Sequence, residues 1–124
     1  MGINLFRAPG APRFTKPLKE RRPRASQRGY GYQWEKASKE HRRLHPWCAR
    51  CLEADKRVLC DVADHKVPVV DGGPILDPRN RWSLCHFCHN GWKRDLEDAA
   101  REIGDVWILM VWCDDPTKRP EKLR

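Results

Sequence analysis

Two Cys-x-x-Cys pairs, Cys48 with Cys51 and Cys85 with Cys88, constrain the fold of this chain more than any other feature. Each pair holds two thiolates on one side of a tight turn, and two such turns complete the four-ligand tetrahedron that zinc prefers. The loop between the pairs spans 34 positions. The spacing therefore predicts a structural Zn²⁺ ion that closes this loop and whose binding energy is largely folding energy.

The composition favours a small domain that relies on such a metal. The chain has 124 residues, of which 34% are charged, and a mean hydropathy of -0.82, which argues against a large apolar core. No apolar signal segment follows Met1, and the longest apolar run, Val106–Cys113, is too short to span a bilayer. We therefore expect a cytoplasmic protein with metal-binding cysteines rather than disulfides. Cys60 and Cys113 lie outside the pattern and are predicted to be small buried residues.

The positive charge is concentrated near the N-terminus. The formal net charge is +8, and residues 1–28 carry eight basic residues against one acid, while residues 29–124 are nearly balanced. Such a charge favours a polyanionic partner. We predict a disordered basic arm over 1–28, which is either a solvated tail or a contact for DNA phosphates or a partner protein. A zinc-containing domain over 29–97 and a C-terminal extension over 98–124 complete the predicted organisation.

Apolar residues at helical spacing predict two main helices. The first covers about Tyr32–Leu44, with Trp34 as a core anchor, and the second covers about Asn90–Ile103. Gly104 is a suitable residue to end the second helix. The final segment, 114–124, is polar and is predicted to be frayed.

β-Branched and apolar residues predict two short strands. They cover Val58–Val62 and His65–Val70, and a hairpin of this kind carries Asp64 and His65 at or near its turn. The later segment Val106–Trp112 is predicted to be a short strand or a packed terminal segment.

The cysteine pairs bracket an Asp-His dipeptide, and an asparagine and another histidine follow in order. This motif resembles the HNH endonuclease family, also called ββα-metal nucleases, in its four-cysteine form. The resemblance covers roughly residues 28–95 and includes an opening segment, 28–34, similar to that of HNH proteins encoded by phages and prophages. The matching positions are Cys48, Cys51, Asp64, His65, Asn80, Cys85, Cys88 and His89.

The resemblance implies an α+β fold: a small zinc-stapled ββα-metal (HNH, or His-Me finger) domain with flanking helices. In that fold an antiparallel hairpin and a helix surround one divalent ion, with Asp64 and His65 on the first strand and His89 at the start of the helix. By position, Asp64 and His89 match the ion's ligands and His65 matches the general base. Asn80 matches the residue that holds the loop and helps to orient the base.

The residue types suit this chemistry without the family name. A neutral imidazole accepts a proton from water near neutral pH. An ion held by one carboxylate and one imidazole keeps positions open and stabilises charge on a leaving oxygen. Mixed oxygen and nitrogen ligands accept Mg²⁺, Mn²⁺, Ni²⁺ or Zn²⁺. Four basic residues are either DNA contacts or solvated charges: Arg79, Arg81, Lys93 and Arg94.

We therefore predict a metal-dependent DNA endonuclease that nicks or cuts with weak specificity. The opening segment suggests a role in phage genome packaging beside the terminase or portal, in the bacterial host cytoplasm, with no membrane partner. One alternative is a non-catalytic zinc module that binds DNA or protein. Another is a restriction-type or mobile-element nuclease, although the chain has little room for a recognition domain. The sequence leaves a monomer and a dimer equally open.

Overall fold

The computed structural model describes residues 31–124, so the predicted arm at 1–28 lies outside the described residues. Helices surround a small sheet, which confirms the predicted α+β class. Among residues 31–124, every helix is too short or too polar to cross a bilayer. The elements in order are α1 (Gly31–Leu44), α2 (Ala49–Leu52), β1 (Val62–His65), β2 (Arg81–Leu84), α3 (His86–Asn90), α4 (Trp92–Glu102) and α5 (Leu109–Asp114).

The sheet consists of β1 and β2 paired antiparallel. Asp64 lies opposite Trp82, and His65 lies opposite Arg81. Successive side chains of a strand point to opposite faces, so Asp64 and His65 face different sides of the sheet. The two residues lie within β1, as the family resemblance implied, and not at a hairpin turn.

The strands predicted at Val58–Val62 and His65–Val70 are wrong. Leu59 makes only an isolated antiparallel bridge with Trp47, and the second range ends in a 3-10 turn. Pro68 lacks the N–H that a continuing ladder would need. The partner of β1 is β2 (Arg81–Leu84), for which the sequence predicted no strand.

The predicted second helix corresponds to α4, which starts two positions later than predicted because Gly91 interrupts the helix. This glycine has φ -112° and ψ -85°, which ends α3 and starts α4 in a new direction. Burial of Leu96 and Ala100 fixes the inner face of α4. Gly104, at φ +74°, adopts the left-handed conformation that commonly ends a helix, as predicted.

The C-terminal segment is folded, contrary to the prediction of a frayed end. The segment that was predicted as a short strand or packed segment is a 3-10 turn followed by α5, which buries Leu109 and Trp112. Arg119 is 1% exposed and donates hydrogen bonds from Nη1 and Nη2 to both carboxylate oxygens of Glu53, each at 2.8 Å. Since α4 also runs across the predicted boundary at 97, the extension is continuous with the zinc-containing part.

The core lies between the sheet, the cysteine pairs and the C-terminal helices. Cys113 is buried there as predicted, and burial raises the pKa of its thiol to about 12. Cys60 is only half-buried. The buried apolar residues are Cys48, Val67, Trp82, Leu84, Cys85, Cys88, Leu96, Ala100, Leu109, Trp112 and Cys113.

Candidate active site

The four predicted zinc ligands come together in the structure. The sulfur atoms of the two cysteine pairs all lie within 4.8 Å of one another, and Sγ of Cys51 is 4.0 Å from that of Cys85 and 3.8 Å from that of Cys88. A disulfide would need about 2.05 Å. A tetrahedron with Zn–S bonds of about 2.3 Å has edges of about 3.8 Å. The spacing therefore fits four ligands of one ion such as Zn²⁺.

The electrostatics of the thiols also fit a cation. Burial and neighbouring sulfur atoms raise the pKa of Cys51 to about 11 and raise the pKa of Cys88 as well. Burial opposes ionisation of Cys48 too, but hydrogen bonds from the backbone N–H groups of Cys85 and Cys51 lower its pKa overall. Four thiolates this close repel one another unless a positive ion lies between them. The donor set is closed by four protein ligands, as in structural zinc sites.

The predicted ligands of a second ion, Asp64 and His89, lie side by side. Oδ1 of Asp64 is 3.3 Å from Nε2 of His89. Two ligand atoms, each about 2.1 Å from one ion, stand about 3.0–3.4 Å apart for octahedral to tetrahedral angles. The pair therefore fits a shared divalent ion. Within residues 31–124, no third cysteine, histidine or carboxylate joins this pair as a further ligand.

The ring of His89 is oriented for this role. Its Nδ1 lies 3.1 Å from Oδ1 of Asn90, an acceptor, so Nδ1 carries a proton and Nε2 faces Asp64. A hydrogen bond to Asp64 raises the pKa of His89 despite partial burial. A proton and a metal ion therefore compete for the same nitrogen.

The second carboxylate oxygen of Asp64 is already occupied. Oδ2 accepts a hydrogen bond from Nε1 of Trp82 at 3.1 Å and lies 2.8 Å from Nζ of Lys93. Burial alone would raise the pKa of Asp64, but its contacts with His89 and Lys93 outweigh burial and lower it. Asp64 is therefore ionised and offers Oδ1 alone to an ion.

The proposed base, His65, is held on the opposite face of the sheet. Its Nε2 lies 2.9 Å from the backbone oxygen of Ile75, and its ring stacks on Trp34 with centroids 4.2 Å apart. Because a carbonyl oxygen only accepts hydrogen bonds, Nε2 carries the proton. The neutral ring then has its lone pair on Nδ1, where a base needs it.

Asn80 braces the loop that orients this histidine. It is 1% exposed, and its Oδ1 accepts a hydrogen bond from the N–H of Val67 at 2.8 Å. Its Nδ2 donates to the backbone oxygens of Val67 and Pro74, both at 3.0 Å. Pro74 directly precedes Ile75, whose oxygen holds His65. Gly73 allows this close approach, because a Cβ there would lie 1.9 Å from the Val67 oxygen.

The four candidate DNA contacts occupy different environments. Arg79 is exposed and pairs with Asp77 at 2.8 Å, and Arg94 is also exposed. Arg81 is half-buried on β2 opposite His65. Lys93 is fully buried, so its prediction as a surface cation is wrong: its ammonium contacts the carboxylates beside it, at positions 64 and 97, instead of solvent.

Several site contacts were missed by sequence reasoning. Trp34 was predicted as a core anchor, but its half-buried ring packs directly on His65. The burial of Lys93 had a signal, because it precedes the buried Leu96 by three positions and Glu97 by four, on one helical face. No pattern of neighbouring residues predicts that the C-terminal segment contacts the chain next to the first cysteine pair.

Comparison with models of known protein families found no match, and searches of curated proteins and of solved structures likewise found no significant match. The geometry of the cysteine cluster and of the hairpin is therefore the basis for any functional conclusion.

Proposed function

We propose that this chain is a metal-dependent endonuclease of the HNH type that hydrolyses phosphodiester bonds of DNA. The observation that carries the proposal is the placement of two adjacent β1 residues, Asp64 and His65. They are the last two residues of β1, where the carboxylate of Asp64 lies beside His89 and the ring of His65 is oriented by the Ile75 carbonyl. The residue order of the HNH motif supports the same reading.

Each residue has a defined task in this proposal. Asp64 and His89 would hold a divalent ion, which would supply Lewis-acid stabilisation of the negative charge on the leaving 3′ oxygen. Nδ1 of His65 accepts a proton from a water molecule as that water attacks phosphorus. The bond between phosphorus and the 3′ oxygen then breaks, and the 3′ oxygen takes a proton from solvent water, which leaves a 5′-phosphate and a 3′-hydroxyl. Asn80 keeps the loop in place so that the ring keeps the required tautomer.

The four cysteines have a structural task in the same proposal. A zinc ion bound by them joins α2 to the start of α3, and α3 carries His89. Zinc thus fixes the helix that completes the second ion site, without taking part in the reaction.

One observation favours a second candidate, a non-catalytic zinc module that binds DNA or protein. Lys93 occupies one oxygen of the Asp64 carboxylate, so this carboxylate already has a positive partner within the protein. Its other oxygen faces His89, and this keeps the nuclease as our first proposal. A role in phage genome packaging beside the terminase remains an expectation from the resemblance of the segment at 28–34.

The test is cleavage of supercoiled plasmid with added Mg²⁺, Mn²⁺ or Ni²⁺. We expect nicking by wild type and loss of nicking in His65→Ala and in Asp64→Asn, with zinc content unchanged in both. His86→Ala is the matched control, because this exposed histidine on α3 makes no side-chain contact with Asp64 or His65. Equal cleavage by wild type and His65→Ala would overturn the assigned base. Binding of DNA without cleavage by wild type would favour the zinc module.

A further inference from the structure

A pocket of mixed polar and apolar lining lies between α1, the first cysteine pair and β2. It has a volume of about 340 Å³, and its lining includes His41 of α1, His45 just beyond the end of α1, Arg81 of β2, and Trp47. It adjoins the Asp64 and His89 pair, because Trp82, which donates to Asp64, also lines the pocket. His41, His45 and Arg81 have no task in the reaction proposed above.

Arg81 gives the pocket a positive charge, and the nearby carboxylate of Asp77 pairs with Arg79 rather than with Arg81. Nε and Nη1 of Arg81 are buried and have no hydrogen-bond partner among the described residues. The rings of His41 and His45 lie 4.7 Å apart beside this guanidinium. Burial and the charges of His45, Arg81 and Lys66 lower the pKa of His41 to about 4. A buried guanidinium without an acceptor is uncommon in folded proteins.

The acids nearest to this cluster are engaged elsewhere. Asp77 pairs with Arg79 at 2.8 Å, and Asp114 pairs with Lys66 at 2.9 Å. Ser83 uses its hydroxyl to donate to the backbone oxygen of His45 at 2.6 Å. The pocket thus presents donors and positive charge, which are the groups that bind a phosphate-class oxyanion.

We propose that this pocket binds a phosphate group of the substrate strand, held by Arg81 with His41 and His45, next to the position of the cleaved bond. This inference rests on the proposed function. His65 and Arg81 are directly opposed in the sheet, and such pairs have neighbouring side chains on one face. A strand with its reacting phosphate at His65 therefore passes over Arg81. Trp47, 37% exposed at the pocket, offers a ring on which a base stacks.

The test compares Arg81→Gln with Arg43→Gln, which removes the same charge from an exposed position on α1 that pairs with Glu40. The first measurement is the NMR titration of His41 in sodium phosphate and in sodium chloride of equal ionic strength. We expect phosphate to raise the pKa of His41 in wild type and in Arg43→Gln, but not in Arg81→Gln, because a bound anion favours the charged ring. Circular dichroism and zinc content confirm that each variant is folded.

The second measurement is the affinity of a fluorescent DNA oligonucleotide, without added divalent ion, over a range of salt concentrations. We expect Arg81→Gln to weaken binding about tenfold and to reduce the salt slope by about one, and Arg43→Gln to change either by less than about twofold. If Arg81→Gln behaves like Arg43→Gln in both measurements, the pocket is not a phosphate site. If phosphate raises the pKa of His41 but Arg81→Gln leaves the DNA affinity unchanged, the pocket binds free phosphate and not a phosphate group of the DNA strand. If wild type does not cleave DNA but binds it more tightly than Arg81→Gln does, the result supports the phosphate site and refutes the proposed nuclease function.

Discussion

The side chain of Asn80 pairs with the backbone of Val67 as a neighbouring strand would, accepting from its N–H at 2.8 Å and donating to its oxygen at 3.0 Å. This pairing fixes a loop that has no regular secondary structure at that point. Because the loop also supplies the carbonyl of Ile75 to His65, a buried amide determines the orientation of a ring that it does not touch.

We expect Asn80→Ala to lower the free energy of unfolding by about 1–3 kcal/mol, since it leaves buried backbone groups of Val67 and Pro74 without partners. Urea unfolding measures this loss. Cleavage should fall by a larger factor than the folded fraction, because the His65 ring loses its fixed carbonyl partner. Asn80→Asp keeps the acceptor and loses the donor, so it should retain the Val67 N–H contact alone. An Asn80→Ala protein with wild-type stability would contradict the conclusion that Asn80 holds the loop in place.

Two adjacent glycines should respond differently to alanine. In Gly73→Ala the new Cβ would overlap the Val67 oxygen, so the loop must move and release Asn80. Gly72 has open space around it but a φ of +97°, so Gly72→Ala should cost only about 1–2 kcal/mol of backbone strain. Hydrogen exchange of the Val67 amide distinguishes them: protection should be lost in Gly73→Ala and kept in Gly72→Ala. Equal protection in both would exclude the close approach as the cause.

Loss of one zinc ligand should unfold the domain rather than weaken it slightly. We expect Cys88→Ser to lose bound zinc and the cooperative thermal transition, because the remaining buried thiols cannot close the loop alone. Mass spectrometry of the metal content and circular dichroism measure the two effects. Cys60→Ser is the matched control, since Cys60 lies outside the cluster and is half-buried. Retention of zinc and of the transition by Cys88→Ser would show that the cluster is not a four-ligand site.

Arg119 should be a major stabilising residue, because its buried guanidinium joins the C-terminal segment to Glu53. Arg119→Ala leaves the backbone oxygens of Trp112 and Cys113 without this donor, and it leaves the Glu53 carboxylate with Arg50 as its remaining partner. We expect a loss of about 3 kcal/mol or more in the free energy of unfolding. The exposed neighbour Lys118 supplies the control, and Lys118→Ala should change the same quantity by less than about 0.5 kcal/mol. Comparable effects of the two substitutions would contradict a folded C-terminal segment.

The low pKa of His41 predicts a pH dependence of stability. In the unfolded chain this imidazole titrates near its ordinary value of about 6.5, whereas in the folded protein its pKa is about 4. Between these values the unfolded chain binds more protons, so the free energy of unfolding falls as the pH is lowered from about 6.5 to about 4. Urea unfolding of wild type and His41→Gln in chloride buffer isolates this part of the slope. A His41 that titrates near 6.5 would contradict the crowded positive pocket.

Local signals account for the features that the sequence predicted well. The Cys-x-x-Cys spacing constrains two ligands within one turn, and the first helix has its apolar residues at helical spacing ending before Pro46. The ββα order of β1, β2 and α3 matches what the HNH resemblance implied, while membership of that family stays a prediction.

Long-range contacts account for the features that the sequence did not predict. Val58 and Leu59 favour a strand by their β propensity, but β1 pairs with β2 instead, because Trp82 and Leu84 of β2 are buried in the core. Arg119 finds its partner Glu53 66 positions earlier in the chain. Such pairings depend on the whole fold, so neither composition nor periodicity reveals them.

The contacts of Lys93 have a consequence for how a divalent ion would be held. Two carboxylates, Asp64 and Glu97, and one ammonium leave a single net negative charge around the site. In the proposed nuclease the protein would therefore neutralise only half of a divalent charge, and substrate phosphate would supply the rest. Ion and DNA would then each raise the affinity of the other by the same factor. The free chain would hold its ion loosely, and cleavage would follow the concentration of free divalent ions until DNA is bound.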